Sequence, residues 1–140
     1  MNNLKTVALA VLLTAAASTT HAMDPHVSLR VSTPFIASAG CGLRFGEGDG
    51  FRPVIEAEAG VGGGRVAVGM DSIGNAVGFG IKGAFLQTWL EPLDVDENQS
   101  FLGLEGEMAI EQLIFSVGGY RRVSDGEDDW LMSAGIGFRF

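Results

Sequence analysis

Residues 129–140 read DWLMSAGIGFRF. Trp130, Met132, Ala134, Ile136, Phe138 and Phe140 occupy every second position, with Leu131, Ser133, Gly135, Gly137 and Arg139 between them. A period of two marks a β-strand, whose successive side chains point to opposite faces. One face of this strand is apolar up to the last residue, whereas soluble domains usually end in a polar, frayed tail. What that apolar face meets decides the fold.

The same alternation recurs upstream. Strands are expected at Val27–Thr33, Phe35–Phe45, Pro53–Gly62, Arg65–Asp71, Ala76–Leu90, Ser100–Ile110, Gln112–Arg122 and Asp129–Phe140. Turn signals separate them: a tight joint at Pro34, then GEGDG, GGG, DSIGN, EPLDVDENQ and SDGEDD. No helical period interrupts the series after Ala22. All 21 glycines lie from Gly40 onward, which is poor composition for helices and for ordinary strands unless something demands small residues. The expectation is an all-β, up-and-down antiparallel barrel of eight strands. Ten strands of about ten residues would leave too little chain for the turns.

Alternation alone does not say which face is inside. In Ala76–Leu90 one face carries Val77, Phe79, Ile81, Phe85 and Trp89, and the other Ala76, Gly78, Gly80, Lys82 and Ala84. A solvent-facing surface has no reason to be so small; small residues with single charges suit a cramped polar interior. Arg30, Arg44, Arg65 and Lys82 share the non-apolar faces with Glu56, Glu58, Asp71, Glu105, Glu107 and Glu111. Opposite charges confined there can pair across the bore, as buried charge requires. The apolar faces carry no charge in mid-strand, and Phe45, Trp89, Trp130 and Phe140 fall near strand ends, as in interfacial girdles. Ile36, Ile114 and Leu131 break the pattern and are expected to point inward.

At the other end, MNNLKTVALAVLLTAAASTTHA has a positive start, an apolar centre too short to span a bilayer, and small residues before Met23. This is a secretory signal layout, so residues 1–22 are expected to be removed and residues 23–140 to form one barrel domain. The whole sequence has a net charge of −8. Such an acidic chain offers no electrostatic attraction to nucleic acid.

In SAGIGFRF, Ser133, Gly135, Phe138 and Phe140 are spaced as a polar residue, a glycine, an aromatic and a final aromatic. This resembles the C-terminal assembly signal of bacterial outer-membrane β-barrels. The resemblance implies a location in the bacterial outer membrane, contact with outer-membrane lipids, and recognition of the last strand by the barrel-insertion machinery.

Candidate chemistry is sparse. A lipid-modifying enzyme needs a base beside its nucleophile, and after Ala22 the single histidine is His26, expected to be mobile near the new end. Cys41 lies in SAGC, but charged residues separate it from the apolar run, so it reads as a small buried thiol rather than a lipidation site. The acidic residues Asp94, Asp96, Glu97, Asp125, Glu127, Asp128 and Asp129 lack the spacing of a calcium loop and read as a solvated surface. No cofactor is implied. The charged interior reads as a rigid plug rather than a conduction path, because eight strands enclose little more than their own side chains. The resulting expectation is a structural, envelope or surface-contact protein without catalysis. The alternatives are a soluble periplasmic or secreted barrel holding a small apolar ligand, and an outer-membrane lipid-modifying enzyme.

Overall fold

The computed structural model describes residues 23–72, 76–90, 98–124 and 129–140. The expected signal segment 1–22, the last three residues of DSIGN and most of the two acidic loops lie outside the described residues. Eight strands follow one another: β1 Met23–Ser32, β2 Ile36–Phe45, β3 Arg52–Gly60, β4 Gly63–Asp71, β5 Val77–Thr88, β6 Ser100–Ile110, β7 Leu113–Arg122 and β8 Trp130–Arg139. Each pairs antiparallel with its sequence neighbours, and β8 returns to β1, closing the barrel.

The stagger of that closure sets the bore. A row perpendicular to the strands runs from Ser28 through Gly40, Glu58, Arg65, Leu86, Phe101 and Arg122 to Asp129. Ser28 itself pairs with Arg139, ten residues beyond Asp129 on the same strand. A stagger of this size tilts eight strands by roughly 40° and narrows the interior to a space that side chains can fill.

The two faces divide as the alternation demands. Val27, Leu29, Val31, Val66, Val68, Phe79, Ile81, Phe85, Leu102, Leu104, Val117, Ile136 and Phe138 are exposed on the outer wall, while arginine, lysine and glutamate side chains are buried inside. Phe140 closes the last rung by exchanging backbone hydrogen bonds with Val27.

The structure corrects four expectations. Ile36 is exposed rather than inward, because the turn at 33–35 gives it a φ of 62° and brings Phe35 inside in its place. Glu111 is not in the interior: alternation stops at Ile110, and Glu111 is exposed in the two-residue turn to β7 with a φ of 54°. His26 is not a mobile residue near a free end but a buried member of β1. Cys41 is exposed on the outer wall and not buried in protein.

Glycines permit the tight inner wall. A Cβ on Gly103 would run into the Gly119 carbonyl and come within 2.7 Å of the Tyr120 Cα and ring. Gly83 instead has only the Val68 carbonyl nearby, at 3.9 Å. Gly103→Ala is expected to destabilise the barrel by about 1–3 kcal/mol through overpacking, whereas Gly83→Ala stays within about 0.5 kcal/mol of the parent. Urea unfolding in detergent micelles measures both, and equal midpoints for the two variants would contradict this account of the inner wall.

Candidate functional site

Among the described residues, the strands bring their charged side chains together in the lumen. Its buried cations are Arg30, Arg44, Arg65, Lys82 and Arg139, and its buried carboxylates are Glu56, Glu58, Asp71, Glu105 and Glu107. Among the described residues, five buried cations face five buried carboxylates. Burying unpaired charge costs several kcal/mol per ion, and this balance removes most of that penalty.

The network has three levels. Towards the end bearing the start of β1, Arg44 donates from Nε to Asp71 at 2.6 Å and from Nη1 to Asp24 at 2.8 Å. In the middle, Lys82 Nζ lies 2.8 Å from Glu56 and 2.9 Å from Glu107. Arg139 Nη2 bridges the same two carboxylates at 2.8 and 2.6 Å. Arg30 Nη2 donates to Glu107 at 2.8 Å, and its Nη1 reaches Glu105 at 3.4 Å. Arg65 holds Glu58 and Glu105, and Tyr120 Oη donates to Glu105 at 2.8 Å. At the far end, Phe35, Ala67, Ala84, Leu86, Phe101 and Tyr120 form an apolar cluster against which Leu131 packs. This cluster caps the ionic layer.

The space left over is slight. The gap among Arg30, Phe35, Glu58, Arg65, Glu105 and Tyr120 measures about 10 Å³, room for about one water molecule. That gap is too small for an apolar ligand.

Of the residues singled out from sequence, Arg30, Arg44, Glu56, Glu58, Arg65, Lys82, Glu105 and Glu107 meet inside the barrel, and Glu111 does not. Sequence reasoning missed three members. Arg139 lies on the Ser133, Gly135 and Gly137 face, so the period of two in the last strand already pointed it inward. Tyr120 shares its face with Ser116 and Gly118 by the same rule. His26 sits two positions from Ser28 and four from Arg30 on β1, and its Nε2 lies 3.1 Å from Glu56. That histidine faces a carboxylate already shared with Lys82 and Arg139. Ser133 and Gly135 line the inner wall; Ser133 Oγ donates to the Thr33 carbonyl at 2.5 Å, where β8 meets the turn after β1. Phe138 and Phe140 are exposed on the outer wall. Among the described residues, no group of histidine, cysteine, aspartate and glutamate side chains has the arrangement of a metal site.

Tyr120→Phe removes one hydrogen bond to a carboxylate and is expected to cost about 1.5–3 kcal/mol. Glu105→Gln leaves Arg65 short of its counter-charge and is expected to cost more, about 3–5 kcal/mol. Urea midpoints in micelles order the two, and a Glu105→Gln variant as stable as the parent would contradict the pairing described.

No family model matches this chain, and no curated protein matches it. Among solved structures it is similar to the N-terminal β-barrel domain of Pseudomonas aeruginosa OprF, with 12% sequence identity, 83% of this chain and 96% of that chain covered, and a TM-score of 0.45.

Proposed function

We propose that this protein is an integral barrel of the bacterial outer membrane, with a packed lumen and a structural, envelope or surface-contact role, and without catalysis. The observation that carries the reading is the inversion of the barrel: the outward positions of its strands are uncharged and apolar nearly throughout, while its charge is gathered inside. In water this would leave a continuous apolar surface far larger than soluble monomers expose. In a bilayer it is the required arrangement, with the backbone groups of the wall paired between neighbouring strands around a closed barrel.

The height of the belt supports the same reading. About ten residues of strand at ~3.4 Å each, tilted by roughly 40°, rise about 25 Å, the thickness of the apolar band of such barrels. Its upper margin carries Gln87 and Arg121 on the outward face, with Trp89 and Trp130 exposed beside them. Outer-membrane lipids and, during assembly, the barrel-insertion machinery are the partners this reading implies. The acidic loops after β5 and β7 open at the end opposite the start of β1, which this reading places at the cell surface.

A soluble ligand carrier fits poorly, because its apolar residues would have to line a chamber and here they face outward. A lipid-modifying enzyme fits poorly as well, because His26 is enclosed and engaged with Glu56.

Cell fractionation followed by gels of boiled and unboiled samples tests the proposal. A band in the outer-membrane fraction whose mobility changes on boiling is expected; a soluble protein with no such change would overturn it. Ile81 is exposed near the middle of β5, and Ile81→Arg is expected to cost roughly 2–4 kcal/mol of folding free energy in lipid vesicles. Undiminished stability there would count against a lipid-facing wall.

A further inference from the structure

The barrel has one joint unlike the others. Seven of its ladders join strands that follow one another in sequence, so each is tethered by its own connection. The β1–β8 ladder joins the first strand to the last. It is also the shortest, with five paired positions from Ser28–Arg139 to Ser32–Gly135, whereas the other ladders have seven to eleven. Single backbone rungs at Val27–Phe140 and Thr33–Ala134 extend it. A short ladder without a local tether regains the most chain entropy on opening.

Both strands of this joint send an arginine into the lumen, and both arginines reach the same two carboxylates. Arg139 of β8 lies 2.8 Å from Glu56 and 2.6 Å from Glu107. Arg30 of β1 lies 3.5 Å from Glu56 and 2.8 Å from Glu107. Glu56 belongs to β3 and Glu107 to β6, so the two carboxylates anchor the joint to the far walls of the barrel. Lys82 lies against both carboxylates and offsets their mutual repulsion. The β8 partner of Arg30 is Gly137, where a Cβ would come within 2.7 Å of Arg30 Cγ; the glycine lets the arginine cross the joint.

We propose that Arg30, Arg139, Glu56 and Glu107 form a latch that holds the β1–β8 joint closed, and that opening of this joint is the first step in unfolding of the barrel. The ionic cluster is thus a positioning device for one specific seam and not uniform ballast for the interior. The inference rests on the closed barrel and holds in micelles as well as in a membrane.

The test compares crosslinks. In a Cys41→Ala background, Val31→Cys with Ile136→Cys places outward thiols across the joint, and Val66→Cys with Phe85→Cys places them across the β4–β5 ladder. Each pair is closed with the same short bis-thiol reagent in micelles, and unfolding in urea is followed by loss of the unboiled gel band. In the otherwise native barrel, the β1–β8 crosslink is expected to slow unfolding by about tenfold or more, and the β4–β5 crosslink by less than about threefold. Arg139→Gln is expected to speed unfolding by about tenfold or more, with the β1–β8 crosslink restoring the native rate and the β4–β5 crosslink failing to do so. Should Arg139→Gln not fold, Arg30→Gln takes its place in the same comparison, since Arg30 reaches the same two carboxylates. Equal slowing by the two crosslinks, or none by either, would overturn the latch. Failure of the uncrosslinked native barrel to give a folded band would instead tell against the barrel assignment itself.

Discussion

A narrow bore lined with charge is the constraint on which the rest of this molecule depends. Eight staggered strands enclose a space that side chains alone can fill, and the strands put ten ionised groups into it. Such groups are tolerable in a confined interior only in balanced, hydrogen-bonded sets. The glycines follow from the same constraint. Gly40, Gly42 and Gly69 lie on the inner wall where neighbouring side chains or backbone leave no room for a Cβ, and Gly103 makes way for Tyr120 as Gly137 does for Arg30. Glycine on this wall is the complement of large charged side chains opposite.

Interior neutrality also explains how the net charge is distributed. The sequence is acidic by eight charges, yet none of that excess is in the barrel. In the sequence, that excess lies in the segments between the strands, chiefly the stretches after β5 and β7. The outer wall, with no role in the charge balance, is free to be apolar throughout its height.

Much of this was legible in the sequence because period two is a local property. The alternation in Val77–Trp89 and in Trp130–Phe140 gave the strands and their faces, and the small residues opposite the apolar ones indicated which face was inside. What failed was local in another way. At Pro34–Ile36 and at Glu111 the backbone leaves the extended region, so counting by twos across those turns sends the next side chain to the wrong face. His26 was misjudged because its order comes from Glu56, thirty residues away and two strands over. The pairing of Arg30 and Arg139 with the same two carboxylates was beyond reach, since it depends on the stagger of the whole barrel, which no single strand encodes.

The apolar cluster at the far end of the lumen has a consequence for how the ionic layer responds to its surroundings. Phe35, Leu86, Phe101 and Tyr120 are each no more than 3% exposed, and they lie between the charges and the medium beyond the loops. Dissolved ions weaken an interaction only where they can approach it, and buried pairs are screened far less than exposed ones. The charges of the barrel therefore work in an insulated compartment. Salt in the surrounding medium leaves the interior that holds the wall together almost untouched.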